Sequence, residues 1–309
     1  MNRTINNFAI IGLSLVIGQS SFAANKTIGL AFPSADHGWM GAIIKNAEDQ
    51  AKAQGVKYVL TTASDPNKQT NDIENLIAKK VDAVVILPVE NDVMNFVAAR
   101  LRAAKIPLIV VDRELKTPYF AALVRGDNVG IGVNAGKYLC NALGGKGNVV
   151  EIIGVPASVT TQRSTGFRQA RKACPGLKLV DYQAGDFSKD KAYATMQKIL
   201  KLQPKIDAIY THDDEMALGV LQAVQEAKRS DVKVITGAGG NKEVYKLIMD
   251  GNSLIKATFV YSPLMVKDAV KLAEAVASGQ APKQKVMVIP ATEVTAGNVA
   301  QYFDAQANY

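Results

Sequence analysis

Five short clusters hold the residue types in this 309-residue chain that could grip or transform a small molecule. Pro33-Ser34-Ala35-Asp36-His37-Gly38-Trp39-Met40 contains the single Trp and one of the two His of the sequence. An indole offers a flat apolar face able to stack on the C–H face of a sugar, and loops are where binding residues gather. Asp112-Arg113-Glu114 sets a carboxylate acceptor beside a planar five-donor guanidinium, a pairing suited to adjacent hydroxyls. Arg163, within Thr161-Gln162-Arg163-Ser164-Thr165-Gly166-Phe167, is a matching fork from the other half of the chain. His212-Asp213-Asp214-Glu215 looks at first like a metal cluster. Four consecutive polar residues cannot all face one ion, however, and no further His or Cys lies close in sequence. Asp214 reads instead as the N-cap of a helix over 215–227, with Asp213 projecting beyond the strand as a hydroxyl acceptor. Last, Thr236-Gly237-Ala238-Gly239-Gly240-Asn241 permits close backbone approach to a ligand and leaves open an anion at the following helix N-terminus.

The motifs that would signal catalysis are missing. There is no G-x-S-x-G elbow, no G-x-x-x-x-G-K-[ST] loop and no H-E-x-x-H. With only His37 and His212, most imidazole acid–base schemes lack parts, so no enzyme, cofactor or metal is implied. Gly130-Ile131-Gly132-Val133-Asn134-Ala135 does match the dinucleotide fingerprint G-x-G-x-x-A. Asp127-Asn128 just before it reads as a helix cap, which would put these glycines inside the first helical turns and not in a phosphate-binding loop.

Each cluster follows a short β-rich run: Thr27–Phe32, Val56–Thr61, Ala83–Leu87, Pro107–Val111, Val149–Ile153, Ala208–Tyr210, Val232–Thr236 and Val286–Ile289. Continuous Val, Ile and Leu runs suit parallel strands covered on both faces. Between them the apolar spacing is helical, as in Val93, Val97 and Leu101 or Ile73, Ile77 and Val81. Asp65-Pro66 marks a helix start. Repeated βα units predict doubly wound parallel sheets, whose ligands sit beyond the carboxyl ends of the strands.

The first residues have another character. Arg3, the apolar run Phe8–Ile17 and the small residues Ser21 and Ala23 make the three-part pattern of a secretory signal peptide, with 1–23 removed. Ten apolar residues fall short of the roughly 20 needed to cross a bilayer. What remains suffices for two domains of ~100–200 residues. The formal net charge of +8 is spread thinly, without the clustered basic face of a nucleic-acid binder. Cys140 and Cys174, an even pair in a secreted chain, read as a candidate disulfide.

Taken in order, Ile106-Pro107 through Val111-Asp112-Arg113, Gly126-Asp127-Asn128, Arg163-x-x-Gly166-Phe167, Gly185-Asp186-Phe187 and Asp213-Asp214-Glu215-Met216-Ala217-Leu218-Gly219 resemble the periplasmic sugar-binding proteins of ABC importers, in the ribose-binding-like branch. The resemblance covers essentially the whole chain after the signal. It implies the type I periplasmic binding protein fold: two α/β lobes joined by a hinge of three crossovers, near Gly126-Asp127, Tyr261-Ser262 and Pro290-Ala291. The lobes would be 24–126 plus 262–290 and 127–261 plus 291–309. It implies that Asp112 and Arg113 hold ligand hydroxyls from the first lobe and Arg163 and Asp213 from the second, with Phe187 against the ring. His37, Trp39 and Met40 occupy first-loop positions where ribose binders carry Asn and two Phe. Gly239 stands where they place an Asp, and Tyr261 where they place a Gln. Losing a carboxylate and an amide changes the hydroxyl pattern the pocket can satisfy. Ribose itself is therefore not the expected ligand; a hexose, a furanose form or a polyol such as an inositol fits the altered wall.

The implied partners are a sugar or polyol and an inner-membrane permease, the implied compartment is the periplasm, and a monomer is expected. Three other functions are consistent with parts of the sequence. A LacI-type regulator core has the same fold, but here a signal peptide replaces the DNA-binding domain. A periplasmic sugar enzyme would need positioned acid and base groups. A chemoreceptor or quorum-signal adaptor presenting a sugar-like ligand could coexist with import.

Overall fold

The computed structural model describes residues 26–35 and 37–309. The signal-peptide reading of 1–23 and the position of Asp36 lie outside these residues.

From Thr27 the chain largely alternates strand and helix. It runs β1 (Thr27–Pro33), α1 (Gly38–Ala53), β2 (Lys57–Ala63), α2 (Pro66–Ala78), β3 (Ala83–Ile86), α3 (Asn91–Ala103), β4 (Leu108–Val111) and β5 (Ala122–Gly126). It continues with α4 (Asn128–Ala142), β6 (Gly147–Ile153), α5 (Ser158–Ala173), β7 (Leu177–Ala184), α6 (Lys189–Leu202), β8 (Ala208–Thr211), α7 (Asp214–Glu226), β9 (Val234–Thr236), α8 (Lys242–Asp250) and β10 (Ile255–Phe259). It finishes with α9 (Met265–Ala277), β11 (Val286–Ile289) and β12 (Glu293–Thr295).

These strands form two six-stranded sheets, in the orders β11-β5-β4-β3-β1-β2 and β12-β10-β9-β8-β6-β7. Every pairing is parallel except that of β10 with β12. The two orders repeat one plan, in which the first strand of each sheet lies between the second and the third. The strand order reverses there, at β1 and at β6, and a ligand crevice is expected outside the carboxyl ends of those strands. The expected α/β architecture of doubly wound parallel sheets is therefore present, in duplicate.

Strand burial explains why the sequence settles this way. In the first sheet Ile28, Leu30 and Phe32 face one apolar layer with Val85, Leu87, Ile109 and Val111. Ala31, Val84, Ile86, Leu108 and Val110 face the opposite layer with Ile73, Leu76 and Leu101 from α2 and α3. Both faces are covered, so these strands read as unbroken apolar runs. The chain passes from the first sheet to the second after Gly126, returns after Phe259 so that α9 packs on the first sheet, and crosses again between Ile289 and Glu293.

The helix starts refine two sequence expectations. Asp65 caps α2 with Pro66 in its first turn, and Asp127 alone caps α4, accepting from Gly130 N at 2.8 Å. Gly130 and Gly132 lie within α4. A Cβ on Gly132 would collide with the Arg163 carbonyl oxygen, and one on Gly166 with that of Val129. The glycines of the dinucleotide-like motif therefore let α4 and α5 touch backbone to backbone. Cys140, at the end of α4, and Cys174, just after α5, are joined as a disulfide. Among the described residues no helix is long and apolar enough to cross a membrane.

Candidate functional site

The crevice that the topology predicts is a narrow cavity between the two sheets, with about 30 Å³ of space free for the centre of a water-sized sphere. His37, Trp39, Met40, Asp112, Arg113, Arg163, Phe187, Asp213, Gly239 and Tyr261 all line it. Val159 and Ala238 complete the lining; Ala238 belongs to the glycine cluster, while Val159 is an apolar residue with no signal in sequence.

The first wall comes from α1 and the end of β4. Trp39 sits inside the first turn of α1 and not in a loop as expected from sequence. Its indole N–H donates to the Tyr261 carbonyl at 2.8 Å, and its ring stacks on that of Tyr261 with centroids 5.6 Å apart. Trp39 is thus both core and cavity wall. His37 is the N-cap of α1 and places its ring 6.3 Å from that of Phe187 on the other side. Asp112, the residue after β4, has φ at 67° and Phe187 has φ at 58°. A left-handed backbone at a bulky or buried non-glycine residue costs of order 1–3 kcal/mol and tends to occur at ligand clamps.

Asp112 and Arg113 are almost wholly buried, not a surface ion pair. The Tyr261 hydroxyl donates to Asp112 Oδ1, while Asp112 Oδ2 lies 3.8 Å from Arg113 Nε. Burial raises the Asp112 carboxyl above its ordinary range, against the pull of Arg113, the Tyr261 hydrogen bond and Arg163. Arg113 Nη1 donates to the carbonyls of Pro88 and Val89 at 3.0 and 2.8 Å. Its Nε is buried and makes no hydrogen bond. A buried donor left open costs about 1–3 kcal/mol, so this guanidinium is fixed by the backbone with one donor still to satisfy.

The second wall centres on Arg163, 3 % exposed. Its Nε donates to Asn128 Oδ1 at 2.9 Å, its Nη1 donates to the His212 carbonyl, and its guanidinium lies 4.4 Å over the Tyr261 ring. Asn128 in turn offers its amide to the Tyr261 hydroxyl at 3.3 Å. A chain of polar contacts therefore runs Arg163–Asn128–Tyr261–Asp112 from one sheet to the other. Asn128 was not among the site residues expected from sequence; the only available hint was its place in Gly126-Asp127-Asn128. Behind Arg163, Glu151 accepts from Ser164 Oγ at 2.7 Å and faces His212 Nε2 at 3.0 Å. His212 is fully buried, and burial holds its imidazole below its ordinary pKa.

Two expectations for the acidic run are corrected. Asp213, not Asp214, is the N-cap of the following helix: its Oδ1 accepts from Met216 N at 2.8 Å, and α7 begins at Asp214. Asp213 still lines the cavity, with one oxygen committed to the cap. Asp214 turns the other way and braces the glycine loop. It accepts from Gly240 N at 2.7 Å, Asn241 N at 2.8 Å and Thr258 Oγ1 at 2.6 Å. A resident carboxylate thus occupies the loop amides that an anionic ligand would have used, which removes the anion-binding option at this loop. Gly239, with φ at 150°, keeps a conformation open to glycine and brings bare backbone to the cavity. Among the described residues no three His, Cys, Asp or Glu gather as metal ligands.

Two parallel α/β sheets with a polar and aromatic cavity at their facing strand ends define the class of two-lobed binding proteins. The sequence matches the periplasmic binding protein domain over residues 28–281, and the chain belongs to that family. It is 32 % identical to the ribose import binding protein of Bacillus subtilis (strain 168) over 286 residues, covering 90 % of this chain and 92 % of that protein. It is 31 % identical to the galactofuranose-binding protein of Escherichia coli (strain K12), covering 79 % and 80 %. Its fold superposes with a TM-score of 0.83 and 28 % identity on the binding component of the arabinose ABC transporter from Shewanella sp. ANA-3 bound to α- and β-L-arabinofuranose, covering 90 % and 94 %.

Proposed function

We propose that this chain is the periplasmic solute-binding component of an ABC importer, closing on a monosaccharide or polyol and delivering it to the permease. The observation that carries the reading is the cavity itself: Asp112 and Arg113 enter from one sheet, Arg163 and Asp213 from the other, and Trp39, Phe187 and Tyr261 supply apolar ring faces. Carboxylates and guanidinium forks on both sides of a compact, ring-lined space fit a neutral polyhydroxylated molecule. Relatives named for ribose and galactofuranose, and a neighbour holding arabinofuranose, support that ligand class. The family and the relatives named above are binding proteins, which supports a binding role and not an enzymatic one, here by a monomer.

The lobes are 24–126 plus 262–290 and 127–261 plus 291–309, and they rotate about the three crossovers. A ligand touched by both lobes favours the closed state, which is the shape the permease reads. His37, Trp39, Met40, Asp112, Arg113, Arg163, Phe187, Asp213, Gly239 and Tyr261 contact the ligand.

Calorimetric titration of the mature protein with D-ribose, L-arabinose, D-galactose, xylitol and myo-inositol tests this, with Trp39 fluorescence followed in parallel. At least one of these should bind at micromolar concentration, and Arg113→Ala should abolish the response. Silence of the whole panel in both measurements would overturn the carbohydrate reading.

A further inference from the structure

The first turn of α1 is capped from two sources. Within its own lobe, Met40 N donates to His37 Nδ1 at 3.4 Å. The Glu215 carboxylate, which belongs to α7 under the second sheet, lies against the Gly38 and Trp39 N–H groups from the other lobe. The fit is close: a Cβ on Gly38 would lie 2.5 Å from Glu215 Oε1. Near the same helix, Asn308 Nδ2 donates to Asn46 Oδ1 at 3.1 Å, and Lys242 of α8 holds the neighbouring Ala307 carbonyl at 2.9 Å. An exposed helix N-terminus carries unpaired N–H groups and a partial positive charge, so a carboxylate arriving from the other lobe satisfies both at once.

A second set of contacts joins other elements of the two lobes. Ser158 Oγ at the start of α5 accepts from Glu114 N at 3.1 Å and from Asn91 Nδ2 at 3.4 Å. Gln162 Nε2 donates to Glu114 Oε1 at 2.8 Å, and Arg125 Nε holds that same oxygen at 2.9 Å. Neither Glu215 nor any member of this set lines the cavity.

We infer that Glu215 on the α1 N-terminus and the Glu114–Ser158–Gln162 cluster are latches that close the lobes in the absence of ligand. They set affinity without touching what is bound. The inference rests on the two-lobe binding reading above but does not depend on which ligand is bound. A binding protein whose competent state is only partly populated has its apparent dissociation constant raised by that fraction. Latches that favour closure therefore tighten binding for every ligand alike.

The single Trp makes the test direct. Acrylamide quenching of Trp39 and the radius of gyration from small-angle scattering are measured with no sugar present. The proteins compared are the unsubstituted chain, Glu215→Ala, Glu215→Gln, and the double variant Ser158→Ala with Gln162→Ala; circular dichroism checks that each is folded. The double variant should quench more readily and scatter as a larger particle, although neither residue borders the Trp39 cavity. Glu215→Ala should do the same, and Glu215→Gln, which keeps an acceptor oxygen, should stay closer to the unsubstituted protein. Any panel sugar that binds should do so roughly tenfold or more weakly to Glu215→Ala, the loss expected for hydrogen bonds to a charged group. Unchanged quenching and radius in both the alanine variants would overturn the inference, whatever the sugar panel shows. A silent panel with expanded variants would instead count against the ligand class alone.

Discussion

Tyr261 and Asp112 meet from opposite sides of the molecule: the tyrosine follows β10 of the second sheet, the aspartate follows β4 of the first, and the phenol donates to the carboxylate. The tyrosine hydroxyl also accepts from Asn128, and its ring underlies Arg163. One residue at a crossover thereby ties the acidic group of one lobe to the basic group of the other. The bond also occupies an Asp112 oxygen that a ligand hydroxyl would otherwise claim.

Removing that hydroxyl should therefore be felt twice. In Tyr261→Phe a buried carboxylate loses its donor, which costs about 1–3 kcal/mol; urea denaturation without ligand should show a loss of that size. The freed oxygen should also raise the relative affinity for ligands with one more hydroxyl, read by competitive titration across the sugar panel. A variant as stable as the parent, with the same order of sugar preference, would contradict this account.

Arg163 should not tolerate Lys. Its planar fork divides among Asn128 Oδ1, the His212 carbonyl and the face of Tyr261, and an ammonium cannot reproduce that geometry. Breaking one partner of a buried charged hydrogen-bonding set costs about 2–5 kcal/mol in binding. Arg163→Lys should thus lose at least about thirtyfold in affinity by calorimetry. Retention of affinity within a few-fold would place the guanidinium outside the binding machinery.

The pH dependence of stability should carry the mark of Asp213. Burial first, then the nearby Glu215 and Asp214 charges, push its carboxyl from the ordinary 3.8 up to about 8, against the Met216 N–H and Arg163. Between those values the folded protein holds a proton that the unfolded chain releases. The contribution of this group is therefore complete below about pH 4 and is lost as pH rises through 8. Asp214, raised to about 6 chiefly by burial, acts in the same sense over a narrower span. His212, held below its ordinary 6.5 by burial, opposes them: its contribution is present above 6.5 and lost as pH falls. From 6.5 to 8, then, the melting temperature should fall as pH rises. Asp213→Asn, which keeps an oxygen to cap α7, should flatten that slope in calorimetric scans; parallel slopes would refute the assignment.

The architecture was legible where strands are buried on both faces. β1, β3, β4 and β8 emerge from apolar runs within a residue or so of their observed limits, and so does β11 although it is a partly exposed edge strand. β7 did not, because it is a sheet edge whose residues from Asp181 on are polar or exposed. β10 is interrupted by Lys256 and Thr258, β5 by Arg125, and β12 has only three residues. The cavity residues were found through their position after strands and the family pattern. The roles of Asp213 and Asp214 were exchanged because either is a good N-cap by type. Only the fold of the glycine loop, distant in sequence, decides which of the two turns away. Asn128 and Glu215 gave little local signal, since their partners lie far away in sequence: Arg163 and Tyr261 for Asn128, and the start of α1 on the opposite lobe for Glu215.

The disulfide should act on stability and spare binding. Cys140 and Cys174 clip the far ends of α4 and α5 across 34 residues, away from the cavity lining. Reduction, or the paired Cys140→Ala with Cys174→Ala, should lower unfolding free energy by about 2–4 kcal/mol. Ligand affinity should stay within a few-fold, measured on protein still folded after reduction. A large fall in affinity without unfolding would mean that the α4–α5 pair moves as a unit with Arg163.

That coupling can be probed from the helix contact itself. Gly132 meets α5 where a Cβ would collide with the Arg163 carbonyl oxygen and approach Phe167 N to 2.6 Å. Backbone cannot give way as a flexible side chain can, so Gly132→Ala must push α5 off α4. Overpacking of this kind costs about 1–3 kcal/mol, and here the displaced residue is Arg163 itself. The shift would strain the Arg163 Nε bond to Asn128 and, through it, the hydroxyl of Tyr261. Gly132→Ala should therefore lower both melting temperature and sugar affinity. Gly136→Ala should lower melting temperature with a much smaller loss of affinity. Its Cβ would meet the Ala170 side chain and lie 3.1 Å from the Phe167 ring, one turn further from the cavity. Equal affinity losses in the two variants would show that helix spacing in general, and not the placement of Arg163, controls the site.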